Sequence, residues 1–223
     1  MTLDEHYRAY VANCIWEDFP ESFWRGVLQG AVFTYADTFS ATVADPQLLA
    51  EQRPSALLQA RYFRMEHMLS AAAASAGVAT SARLIGGNHC HYCYAGRGRV
   101  GITQSYVAAI GDMPRPANFR ELLAQVSAFK RQSSLPLGDA PADLITPKQV
   151  TGILLHSPMG RRFVSEEQKL GDIGFYVPYE DCSGWAAHLS ITEILQLYKP
   201  AEERSDRAVP TRKGDVKTGT GEK

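Results

Sequence analysis

The chain has 223 residues, 45% hydrophobic and 21% charged, with a formal net charge of −1. Such a composition belongs to a globular protein that can bury a proper core without disulfide staples. It excludes bulk electrostatic capture of nucleic acid, and no apolar run approaches the roughly 18 residues of a membrane span.

The opening Met1-Thr2-Leu3-Asp4-Glu5 is acidic and polar, unlike a secretory leader, and predicts a soluble, cytoplasmic chain. Cys14, Cys90, Cys93 and Cys182 then read as reduced thiols rather than a disulfide framework. Residues 1–198 carry 16 Lys and Arg against 19 Asp and Glu, whereas residues 199–223 carry seven against five. Arginine outnumbers lysine 16 to 7, which suits planar contacts to phosphate or carboxylate but follows equally from a GC-rich genome.

Thr2-Leu3-Asp4-Glu5 is a capping box, and Leu3, Tyr7, Tyr10, Val11, Cys14 and Ile15 recur at helical spacing, so a helix is expected over residues 3–17. Pro20 opens a second helix that buries Phe23, Val27 and Ala31, although Gly26 and Gly30 each cost it about 1 kcal/mol against alanine. Trp16, Phe19, Phe23 and Trp24 are expected to cluster where the two helices meet. A third helix over residues 54–76 carries Leu58, Met65, Leu69 and Ala72 on one stripe, with Gly77 as its C′ residue.

Residues 80–107 read as strands at 82–85, 89–95 and 99–107, with a hairpin turn at Gly96-Arg97-Gly98. Pro116 begins a helix expected to bury Phe119, Leu122, Leu123, Val126 and Phe129. Residues 131–147, rich in Ser, Gly and Pro, read as a long loop. Residues 150–155 and 173–177 are apolar enough for buried strands, and Ser190-Ile191-Thr192-Glu193 is a second capping box opening a helix that ends near Tyr198. From Lys199 almost nothing is apolar, so residues 199–223 are expected to be a disordered tail. Helices first and strands later predict one α+β domain over residues 1–198, with a helical N-terminal layer on a mainly antiparallel sheet.

Three groups of residues carry chemistry. In a strand, His89, His91 and Cys93 share one face and could ligate zinc or another divalent metal. The alternative is a half-buried strand with polar aromatics and small thiols. Arg97 and Arg99 flank a glycine turn near Arg115 and Arg120, so Arg97, Arg99 and Arg120 are candidates for holding a phosphate-bearing ligand; the alternative is solvated turn charge. His156 ends an apolar strand, and paired with His89 or His91 it is a candidate acid–base catalyst; the alternative is a histidine satisfied by the backbone.

Complete catalytic templates are missing. No Gly-x-Ser-x-Gly elbow occurs, and the Gly-x-Gly-x-x-Gly spacing at residues 96–101 falls in the expected hairpin turn, with no helix following directly. Glu167-Gln168-Lys169 with Asp143 upstream only partly fits a restriction-type nuclease centre, and Asp172, Glu180 and Asp181 are scattered carboxylates that could hold Mg²⁺. The first expectation is therefore a binding or regulatory protein, with a protein partner or a second copy of itself. The alternative is a histidine- or metal-dependent hydrolase acting on nucleic acid or a phosphorylated ligand. Convergence of His89, His91 and His156 in one pocket would favour the hydrolase.

Overall fold

The computed structural model describes residues 2–85, 90–130 and 147–199. Helix α1 (Leu3–Asp18) starts at its capping box: Glu5 N–H donates to the Thr2 hydroxyl at 3.2 Å, and Thr2 N–H donates to the Glu5 carboxylate at 2.7 Å. Helix α2 (Glu21–Ala44) follows Pro20 and continues much further than its apolar residues suggest. Its second half buries Thr34, Thr38 and Thr42 at four-residue spacing. Thr38 and Thr42 donate their hydroxyls to carbonyls one turn back, which removes the cost of burying them.

Helix α3 (Arg53–Ser75) ends in a Schellman motif at Gly77, with φ +65°, as Val78 N–H bonds Ala73 C=O and Gly77 N–H bonds Ala74 C=O. Helices α2 and α3 pack closely because Gly30 leaves room for Met68; a Cβ there would lie 2.6 Å from its Cγ. The glycine that weakens α2 as an isolated helix is thus what lets it pair.

The stripe expected along α3 is partly wrong. Met65, Leu69 and Ala72 are buried, but Leu58 is 46% exposed and Leu57 is buried in its place. Buried Arg61 lies four residues after Leu57 and four before Met65, so the inward stripe passes through a charged residue that an apolar pattern skips. Leu57→Ala should cost about 2–5 kcal/mol in urea unfolding, and Leu58→Ala less than about 0.5 kcal/mol. Equal costs would refute this assignment of faces.

The sheet has six strands in the order β1 (Ala79–Leu84), β2 (His91–Arg97), β3 (Val100–Tyr106), β4 (Val150–Pro158), β5 (Leu170–Pro178) and β6 (Trp185–Ser190). Only the β3–β4 pair is parallel; every other pair is antiparallel. A parallel neighbour requires a long crossover, and residues 107–149 supply it with helix α4 (Asn118–Ser127) inside. Helix α5 (Ile191–Leu197) begins at the second capping box. The expected α+β architecture, a helical layer on a mainly antiparallel sheet, is what the chain adopts.

One face of the sheet, including Ala95, Ile102, Leu154, Phe175, Val177 and Leu189, joins the helices in the main core. The opposite face carries a smaller cluster of Val107, Ile153, Leu155 and Tyr176. Phe19, Phe23 and Trp24 form the expected aromatic cluster, with ring centroids 4.9–5.8 Å apart, but Trp16 is exposed. Leu122, 62% exposed, and Val126 are likewise not buried, because α4 turns Ala124 and Ser127 inward instead. The loop expected at 131–147 falls outside the described residues except for Pro147, and of the tail expected at 199–223 only Lys199 is described. No described helix is long and apolar enough to cross a membrane.

Candidate functional site

The β2–β3 hairpin is laddered only near its turn, at Ala95 with Ile102, Gly96 with Gly101 and Arg97 with Val100. Beyond that the strands part, and backbone groups of β2 need partners from elsewhere. Helix α3 provides them: Glu66 accepts the Cys93 N–H, and the Tyr62 hydroxyl donates to His91 C=O at 3.4 Å. A carboxylate therefore occupies the place of a neighbouring strand.

From Glu66 a chain of side chains runs through the core. Gln104 of β3 donates its amide to Glu66 at 2.6 Å, and its carbonyl oxygen faces His156 Nε2 at 2.8 Å. His156 Nδ1 faces the Tyr35 hydroxyl of α2 at 2.7 Å. A carboxylate only accepts, so Gln104 must donate to it, Nε2 must carry the imidazole proton, and Tyr35 must donate to Nδ1. Buried Arg61 lies 4.1 Å from the Tyr35 ring centroid and donates to the Gln168 side chain at 2.8 Å and its carbonyl at 2.6 Å.

Electrostatics follow from this burial. His156 is fully buried and beside the Arg61 charge, and its pKa is pushed down to about 3, chiefly by desolvation and then by Arg61. The ring is neutral at ordinary pH with both nitrogens engaged. Desolvation holds Glu66 above the usual carboxylate range, opposed by its bonds from Cys93 and Gln104 and by the Arg120 charge. Desolvation shifts both the buried Arg61 and the half-buried Arg120 guanidinium down.

Arg120 belongs to the first turn of α4. It donates to Arg115 C=O at 2.7 Å and to the Ser105 hydroxyl at 3.0 Å, and its buried Nε has no partner among the described residues. It lines a pocket of about 550 Å³ with an apolar lining that includes Met113, Pro114, Ile153 and Pro178. Arg115, Glu121, Asp181 and Cys182 complete its charged and polar side.

Each wall of the pocket is anchored. The Trp185 indole donates to Gly111 C=O at 2.7 Å, fixing the segment that precedes α4. Glu180 N–H bonds Phe129 C=O at 2.8 Å, tying the β5–β6 turn to the end of α4. Within that turn Asp181 accepts from Ser183 N–H at 2.9 Å, and Cys182 takes φ +54°. Burial raises the Cys182 thiol pKa, with Glu121 and Asp181 adding and Arg120 opposing, so all three charges act on one point of the pocket. A second groove, of about 450 Å³, lies between α2 and α3 beside exposed Phe33 and Phe63; its Asp37 and Arg64 pair with each other.

The candidates from sequence are dispersed. His156 lies within β4 (Val150–Pro158) in the core, not at the mouth of a loop. His91 is exposed, and Cys93 is half-buried against the core, its thiol pushed up to about 11 by burial and by Glu66. His89 lies outside the described residues, and among those described no three His, Cys, Asp or Glu side chains could hold a metal ion.

Arg97 is exposed, whereas Arg99 is drawn onto α1 by Glu17 and by Asp18 at 3.0 Å, so these two arginines do not form a common anion site. Arg120 is the candidate that the fold places in a pocket. Glu66, Gln104, Tyr35 and Arg61 were not legible as a group, since they come from three separate elements, α2, α3 and β3. No protein-family model, no curated protein and no solved structure matches this chain.

Proposed function

We propose that this chain is a binding protein that holds a small ligand in the pocket at Arg120. The observation that carries this reading is a pocket of about 550 Å³ that sets the half-buried Arg120 beside an apolar lining of Ile153 and Pro178. Pockets of roughly 300–1,000 Å³ with few placed polar groups are the usual form of ligand sites. The polar chain through His156 then serves as a rigid frame behind the pocket wall. A catalytic part for His156 finds no support in its surroundings, because Tyr35 and Gln104 use both ring nitrogens.

A thermal-shift screen of small acids, amines and amino acids on the full chain tests this. A ligand present at 100 times its Kd should stabilise by about 2.7 kcal/mol, or roughly 5–10 °C for a domain of this size. That shift should vanish in Ala117→Trp, which adds an indole to the pocket lining. Ligands that stabilise both proteins equally would place the site elsewhere and defeat the proposal.

A further inference from the structure

We infer that the outer face of helices α2 and α3 pairs with a second copy of this chain, forming a four-helix bundle across a two-fold axis. Gly26 lies against Ala72, Gly30 against Met68, and Asp37 pairs with Arg64, so the two helices run antiparallel. Their inner sides join the main core. Their outer side carries Phe33, 70% exposed, Phe63, 60% exposed, and Val32, 54% exposed. Residues 27–44 of α2 hold one charged residue, Asp37. The solvent side of a surface helix is ordinarily charged, and exposed aromatics gathered at a groove mark a contact surface.

What covers this face follows from its charge. The groove places one carboxylate, Asp37, on α2 and one guanidinium, Arg64, on α3, level with each other. A half-turn about an axis parallel to the helices, lying in the interface, keeps each residue at its level and exchanges the two sides. It therefore sets Asp37 of one copy against Arg64 of the other, twice, and joins two ion pairs into a ring of alternating charge. A partner carrying one sign of charge would instead repel either Asp37 or Arg64.

The same rotation lays α2 of each copy beside α3 of the other. All neighbouring helices are then antiparallel, as in an up-down bundle. Ala36, Ser40 and Ala71, small and exposed, let the helices approach, and Phe33 and Phe63 serve as anchors. A net charge of −1 leaves little repulsion between copies. The shared face measures roughly 25 Å by 20 Å, from a rise of about 1.5 Å per residue and a width of about 10 Å per helix. Two such faces cover roughly 1,000 Å², the lower end of specific interfaces, so the dimer should be weak, with a Kd of about 1–100 μM.

Sedimentation equilibrium of the full chain from about 1 to 300 μM, a range that brackets this Kd, tests the inference. The mass should rise from one chain to two. Phe33 is exposed, so Phe33→Glu should keep its thermal melt and stay monomeric. Asp37→Arg alone and Arg64→Asp alone should also fold and stay monomeric, because each sets like charges across the axis. Mixed in equal amounts, these two variants should form a dimer of one copy of each, at least tenfold tighter than either alone, because both crossings then pair opposite charges.

A full chain still monomeric at about 300 μM would overturn the inference. A dimer that Phe33→Glu leaves intact would place the contact on another face. A mixture no tighter than its separate variants would refute the two-fold arrangement.

Discussion

Acidification from pH 6.5 to pH 4 should remove about 3 kcal/mol of folding stability through His156 alone. In the unfolded chain this imidazole titrates near its ordinary value of 6.5, but in the folded protein its pKa is about 3. Between those values the unfolded state binds more protons, so stability falls as the pH falls, by about 1.4 kcal/mol per pH unit. The contribution is fully present above pH 6.5 and exhausted near pH 3. His156 is fully buried, so solvent screening does not reduce it. Glu66 acts in the opposite sense: its raised pKa means the folded state takes up a proton first, which favours folding on acidification.

Comparison with His156→Gln isolates the histidine, because both proteins keep Glu66 and glutamine can still hydrogen-bond Tyr35 and Gln104. Urea unfolding at pH 7, 6, 5 and 4 should show the gap between wild type and variant narrowing by about 1.4 kcal/mol per pH unit below pH 6.5. Parallel pH profiles would mean that the ring is not sealed in a neutral state.

Leu69→Asp should abolish cooperative folding. Leu69 is fully buried in α3 within the core shared by α2 and the sheet. Losing the leucine side chain costs about 2–5 kcal/mol, and burying a carboxylate without a partner adds several more. Typical domains have only about 5–15 kcal/mol in total. Circular dichroism should show no cooperative melt for Leu69→Asp, whereas Leu69→Met should stay within about 1.5 kcal/mol of wild type. A folded, soluble aspartate variant would show that this helix face does not carry the core.

Local signals in the sequence were sufficient for the elements. Thr2 with Glu5 and Ser190 with Glu193 start helices in the structure as they do on paper, because a capping box is complete within four residues. Gly77 ends α3 for an equally local reason: the left-handed conformation its Schellman motif requires suits a residue without a Cβ. Apolar runs gave β4 and β5, and the order of helices before strands gave the fold class. Strand β6, with small Ala186 and Ala187 beside His188, lacks such a run and went unread.

Tertiary structure decided which side chains meet. Leu57 rather than Leu58 faces inward because the buried stripe of α3 passes through Arg61, and nothing local says that an arginine will be accepted there. Its acceptance depends on Gln168, 107 residues away. The parting of β2 from β3, the substitution of Glu66 for a strand and the sealing of His156 between Tyr35 and Gln104 are all non-local as well. The same holds for Arg120. In sequence it was one arginine among several near a glycine turn, but the crossover carries it to Ser105 and opposite Cys182, whereas Arg99 in that turn is neutralised by α1. Chain-local chemistry sets caps, turns and periodicity, while a site assembled from five elements exists only once loop closure has brought them together.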